Sequence, residues 1–272
     1  MSLTMEPVAR LTRDIRNGAA TLGRDEARFL VDSYYAMQKD RIADDNQERA
    51  LDEAGEPHAV LGWLADQHAT LEKQIARALG AYADADPIGV WSQSIPGIGP
   101  IIAAGLLAHI DIEKAPTAGH IWRFAGLDPS VKWEKKTKRP WNAKLKVVCW
   151  KAGESFVKVS GNDKDIYGGV YRSRKEYEIA RNDRGDNADV AARILTEKRF
   201  GADTEARKHL QAGRLPPAQL HARAKRYAVK LFLAHWQHVA WETRFGEAPA
   251  KPYALTQLQH AHFIAPPNWP MK

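Results

Sequence analysis

Residues 132–151 gather eight basic side chains, one acidic side chain and three tryptophans. The cations are Lys132, Lys135, Lys136, Lys138, Arg139, Lys144, Lys146 and Lys151; the indoles are Trp133, Trp141 and Trp150; the acid is Glu134. Lys and Arg neutralise phosphates and release their counterions, and an exposed indole stacks on an unpaired base. The chemistry this predicts is nucleic-acid binding. The alternative is a solvated basic loop with its tryptophans turned into a core. For Trp150, beside Val147 and Val148 in a helical stretch, the core alternative is preferred. For Trp133 and Trp141 both readings stay open.

A second constellation precedes it, the string Ile95-Pro96-Gly97-Ile98-Gly99-Pro100-Ile101-Ile102-Ala103. A Gly-hydrophobe-Gly turn followed by Pro in a first helical turn predicts a helix-hairpin-helix. Gly97 and Gly99 would accept positive φ and permit close backbone approach. A phosphate would then rest on the amides that open the second helix, with Ile98 anchoring the turn. Ile101 and Ile102 stand where a polar side chain would add a contact. The contact therefore rests on backbone amides, or else the hairpin is a packing module.

A third set, Arg223, Arg226 and Lys230, recurs at helical spacing and shares one face. Arg172, Arg174, Lys175, Arg181 and Arg184 are diluted by Glu176, Glu178 and Asp183 and read as a solvated face. His221, His235 and His238 with Glu242 have acceptable ligand spacing but too few partners, so neither a metal nor a cofactor is expected. Asp163, Asp165 and the run from Asp183 to Asp189 lie in loop-like sequence that offers no rigid frame for paired metal ions.

The elements that must hold these residues read as helices. Ala27–Leu51 shows a rough helical period through Phe29, Leu30, Tyr34, Met37 and Ile42. Trp63–Ala81 carries a seam of Leu64, His68, Leu71, Ile75 and Leu79, with Glu72, Lys73 and Arg77 off it. Breaks fall at 54–57 and 84–87. Thr117–Phe124 is a short helix, 128–141 a loop, and Asn142–Val159 a helix with Asn142 as cap. Residues 161–169 read as a loop, Tyr171–Arg181 and Asn187–Phe200 as helices, and Pro216-Pro217 as the opening of a long helix to Phe245. The proline-rich tail beyond Gly246 is expected to be extended. These elements predict an all-α protein: an N-terminal helical hairpin or coiled coil over 1–87, a helix-hairpin-helix core and C-terminal helical layer over 88–245, and a tail over 246–272.

The chain has 272 residues, 44% of them hydrophobic, a net charge of +7 and one cysteine, Cys149. The charge favours polyanionic partners, and one cysteine excludes an intrachain disulfide. No apolar run approaches the roughly 20 residues of a membrane span, and the N-terminus lacks the pattern of a secretory signal. A cytoplasmic location is expected.

Ile95–Leu107, Phe124-Ala125-Gly126-Leu127-Asp128-Pro129 and Asn142-Ala143-Lys144-Leu145-Lys146 together resemble the C-terminal transposase domain of the DEDD-type insertion-sequence transposases, the bridge-RNA-guided recombinases. Residues 60–94 are similar to that family's preceding coiled coil, and Ala222–Leu233 to its late basic helix. The family carries an N-terminal RuvC-like domain with four metal-holding acids; the 94 residues ahead of the hairpin here read as helices instead. Its nucleophilic serine lies in a Ser/Gly-rich stretch, where this chain has Trp133–Arg139. Ser130 falls too early and Ser155 on the next helix. The resemblance thus implies binding of DNA, or of RNA, more than catalysis. The residues expected to bind are Gly97, Ile98, Gly99, Ile101, Lys132, Trp133, Lys135, Lys136, Lys138, Arg139, Trp141, Lys144, Arg223, Arg226 and Lys230. Self-association through the N-terminal helices is a further expectation. The alternatives are an active recombinase completed by a partner domain, and a structural protein that has lost nucleic-acid contacts.

Overall fold

Caps and prolines fix where the helices begin. The computed structural model describes residues 8–56, 58–134, 136–250 and 264–271, and all regular structure among them is helical. Helix α1 (Arg13–Gly18) starts at Thr12, whose hydroxyl accepts from the Ile15 amide. Helix α2 (Arg24–Ala54) opens with Glu26 accepting from the Gly23 amide at 2.7 Å and closes at Gly55, where φ is 74°. Helix α3 is Ala59–Asp84. Helix α4 (Pro87–Gln93) takes Asp86 as its cap and Pro87 in its first turn; α5 is Pro100–His109 and α6 is Ala118–Phe124. There follow α7 (Ala143–Val159), α8 (Tyr167–Asp183), α9 (Ala188–Glu197), α10 (Glu205–Gln211) and α11 (Pro217–Phe245). No helix of the described residues is long and apolar enough to cross a membrane. The chain divides into two compact units, one holding residues up to 94 with 99–111, the other 95–98 with those from 112 onward.

In the first unit α2 pairs with α3, and α5 packs on both. The contact seam differs from the expected one. Leu71, Phe29 and Ile42 are exposed, whereas Glu72 is buried and faces α2. Arg41 Nε donates to Glu72 at 2.5 Å and Gln38 at 3.2 Å, so the carboxylate is paired where an apolar seam position was expected. Burial opposes its charge, but these hydrogen bonds outweigh burial and hold its pKa below the usual carboxylate value. Asp44 and His68 form a second pair along the seam at 2.6 Å. Hydrophobic spacing alone could not place a charge that brings its own partner.

The second unit is built on α11, against which α6, α7 and α8 pack. Phe156, Tyr167 and Phe232 form a triangle of rings with centroids 5.0–5.5 Å apart. Helix α8 begins four residues before the expected Tyr171. Gly168 is therefore helical, and glycine is required there: a β-carbon would lie 2.7–2.9 Å from Asp165, Ser160 and Phe156. Helix α9 stops at Glu197, short of the expected Phe200, and α10 was not foreseen. Leu210 on α10 joins Ala191, Leu215 and Leu220 in a small core of its own. The expectations for Met1–Glu6, Pro57 and the tail over 251–263 lie outside the described residues. The tail segment 264–271 is non-helical and meets α11, where Trp269 donates to Glu242.

His235 is buried and bonded at both nitrogens, Nδ1 to the Tyr167 hydroxyl at 2.7 Å and Nε2 to the Ile264 carbonyl at 2.9 Å. Tyr167 O–H donating to Nδ1 and Nε2–H donating to the carbonyl require a neutral ring. Burial pushes its pKa down to about 4. A depressed folded value means that the unfolded chain binds the proton first. Stability should therefore be intact above pH 6.5 and fall as pH drops towards 4, by up to about 3 kcal/mol. Denaturant melts of wild type and His235→Gln across this range check it, the variant showing the shallower slope.

Candidate nucleic-acid interface

The loop between α6 and α7 is tied at both ends. The Asn142 amide donates to the Phe124 carbonyl at 2.8 Å, and the Asn142 side chain accepts from the Lys144 and Leu145 amides at 2.9 and 3.0 Å. At the other end Gly126 has φ 66°, and the Trp141 indole lies against it: a β-carbon there would be 2.8 Å from Trp141 Cγ. Trp133 Nε1 donates to the Thr137 carbonyl at 2.9 Å, closing a tight turn in which Lys136 takes φ 75°.

These restraints shape an open hollow of about 420 Å³, lined by Trp133, Arg139, Trp141, Ala143, Lys146, Val147 and Trp150. Trp133 and Trp141 meet edge to face with centroids 6.3 Å apart. Arg139 lies 5.2 Å from the Trp133 ring centre and Lys146 Nζ 4.4 Å from that of Trp141, within cation–π reach. Trp133 is 41% and Trp150 56% exposed. The core placement preferred for Trp150 is thus overturned. Helix α7 buries Leu145, Val148, Cys149, Ala152 and Phe156, while Trp150 points away with Val147 and Lys146. The signal was present in the sequence: positions 143, 146, 147 and 150 share a helix face.

Lys132, Lys136, Lys138, Arg139 and Lys144 are exposed on the loop and the first turn of α7; Lys135 lies outside the described residues. Arg223 is turned elsewhere. Its guanidinium meets the buried Glu178 at 3.3 Å and Asn187 at 3.0 Å. Arg226 is exposed. Lys230 is half-buried over the Trp122 ring, 4.1 Å from its centre, and Trp122 Nε1 donates to the Lys230 carbonyl. Burial lowers the Lys230 pKa, against the pull of Asp128. Trp122, Gly126 and Lys146 were not among the expected binding residues.

Helices α4 and α5 flank the Gly-Ile-Gly turn, in which the Ile98 amide donates to the Ile95 carbonyl at 2.9 Å. Gly97 has φ 92° and lies against α7, with a β-carbon position 3.2–3.5 Å from Val159, Ser155 and Phe156. Gly99 has φ −91° and no neighbour within 4 Å, so the expected need for glycine holds at Gly97 and not at Gly99. Ile98 is buried, and Ile101 sits in the first turn of α5, half-buried. Ser155 Oγ donates to the Gly97 carbonyl at 2.5 Å. Of the histidines, His221 meets Tyr171 at 2.7 Å and His238 meets Glu242 at 3.3 Å. No group of three or more His, Cys, Asp or Glu placed to hold a metal occurs among the described residues.

Residues 92–151 match the family model described as Transposase IS116/IS110/IS902 family. The transposase match begins in α4, takes in the Gly-Ile-Gly turn, α5, α6 and the loop, and ends within α7. It contains every residue lining the hollow. Comparison with curated proteins and with solved structures gave no match.

Gly126→Ala should displace Trp141 as well as strain the backbone. The positive φ alone adds about 1–2 kcal/mol. The expected result is a lower melting temperature together with loss of near-ultraviolet circular dichroism from the coupled Trp133–Trp141 pair, read against Gly99→Ala at the N-cap of α5, which should leave the near-ultraviolet signal unchanged.

Proposed function

We propose that this chain binds DNA as a transposase-type C-terminal domain, without a catalytic centre of its own. The observation that carries the reading is the run of exposed cations Lys132, Lys136, Lys138, Arg139 and Lys144 around an aromatic hollow, all inside the segment matching the transposase model. Cations that protrude into solvent are placed to neutralise phosphates and so release the counterions condensed on the nucleic acid. The amides opening α5 after the Gly-Ile-Gly turn are a further phosphate contact under the helix-hairpin-helix reading. Arg226 and Lys230 add charge on α11, while Arg223 balances Glu178 and contributes little. RNA is the other polyanion this charge would accept, and self-association through α2 and α3 is compatible with exposed Phe29 and Ile42.

One observation favours a second reading, an active recombinase completed by a partner domain. Ser130 is exposed, and its hydroxyl donates to Asp128 at 2.7 Å. The same Asp128 oxygen accepts the Ser130 amide at 2.9 Å, which is the geometry of an Asx turn. Those two bonds, reinforced by Lys230 and Arg123, hold the Asp128 carboxyl below its usual value. A carboxylate so stabilised is a poor base for a serine hydroxyl, which supports the turn. DNA strand cleavage abolished by Ser130→Ala would reverse that preference.

Salt titration tests the binding reading. Replacing Lys132, Lys136 and Lys138 with Ala should weaken duplex binding and lower the log–log salt slope by about 0.9 for each phosphate that is no longer neutralised. A slope identical to wild type would remove the loop from the binding surface.

A further inference from the structure

We propose that the hollow between the loop and α7 receives one unpaired base of a single-stranded DNA. The inference rests on the DNA-binding reading and narrows it from phosphate contact to base capture. Two large indoles, Trp133 and Trp150, remain exposed at the rim although burying them would be favourable. Ala143 and Val147 give an apolar floor, and Arg139 and Lys146 bring positive charge to the walls. A flat apolar solute attached to an anion satisfies both parts: the indoles stack its face, and the cations meet its phosphate.

Three features narrow the occupant. The volume of about 420 Å³ lies at the low end of the range for small-ligand pockets. A base held in a duplex stack cannot enter it without being extruded. Arg139 and Lys146 already stand over the Trp133 and Trp141 rings, so a cationic guest, such as a methylated lysine, would meet like charge. Every polar side chain of the lining is a donor: two cations and three indole N–H groups, of which that of Trp133 is engaged by Thr137. Those donors suit the carbonyl and ring-nitrogen acceptors of a base, and the match of this segment to a transposase model selects DNA over RNA as the strand that carries it.

The test uses the full chain and four probes of equal length: oligo-thymidine, the same strand with abasic sites, a duplex, and oligo-uridine. The base-bearing DNA strand should bind about tenfold more tightly than the abasic strand. Trp150→Ala should remove about that factor from the base-bearing strand only, with the salt slope unchanged, because the variant gives up stacking and neutralises as many phosphates as wild type. Trp150 is more than half exposed, and melting temperature on the same preparation reports whether the variant folds. Val147→Gln, which puts an uncharged polar side chain on the exposed floor, gives the same selective loss if Trp150→Ala does not fold. Equal binding of base-bearing and abasic strands, or equal weakening of both by the variants, overturns base capture while duplex binding leaves the DNA reading standing. Oligo-uridine binding as tightly as oligo-thymidine overturns the assignment to DNA. Failure to bind any of the four overturns the DNA-binding reading itself.

Discussion

Asn142 holds the candidate site together. Its amide closes the loop back onto the end of α6, and its side chain satisfies two of the four amides that a helix N-terminus leaves without partners. One residue thereby fixes both the loop's exit and the start of α7. Closing a loop costs entropy that must be offset by contacts at its ends. Here the other anchor is Trp141 lying on Gly126, a contact that any side chain at Gly126 would block. With both ends pinned, Trp133 and Arg139 are carried to the side of α7 that presents Lys146, Val147 and Trp150.

Helix α7 must serve two environments at once. Its inner face is packed tightly enough that Gly153 lies within 3.1 Å of the Val229 side chain, measured from its β-carbon position. Cys149 on that face is fully buried, and burial pushes its thiol pKa up to about 12, so it acts as a small apolar side chain and not as a nucleophile. The outer face cannot satisfy the same rule, because loop and helix diverge and leave the hollow. A helix buried on one side and aromatic on the other is a rigid platform for stacking, since its indoles need not reorganise to meet a planar guest.

Net charge overstates how much of this chain's basicity is available to a partner. Glu178 is buried and takes both Arg174 and Arg223; Arg172 pairs with Asp165 at 2.6 Å, Arg41 with Glu72, and Lys225 with Glu154. In each pair the two charges cancel, and those of Arg223, Arg41 and Lys225 also join one helix to another; a buried carboxylate such as Glu178 without its partners would be strongly destabilising. The loop is different. Eight cations face a single acid over residues 132–151, and most of them are exposed. Local imbalance, and not the sum over the chain, is what a phosphate backbone would sense.

The all-α class, the main helix boundaries and the position of the loop were legible in the sequence, because they depend on local rules. Pro87 and Pro217 open helices, Gly55 and Gly246 end them, and Asn142 caps one. The candidate binding residues of the loop were legible by type, since a basic run with interleaved indoles is a local composition. What neighbours decide was not legible. Glu72 replaced Leu71 on the α2–α3 seam because Arg41 and Gln38, more than thirty residues away, satisfy its charge. Gly168 is required in the first turn of α8 because Asp165, Ser160 and Phe156 leave no room for a β-carbon. Arg223 was drawn into an ion pair with Glu178 although its spacing matched Arg226 and Lys230. Trp150 turned outward because Leu145, Val148 and Cys149 claimed the buried face of α7. Sequence determined which side chains could bind or bury; tertiary structure decided which of them had partners and which faced solvent, because burial and charge pairing are settled between elements and not within them.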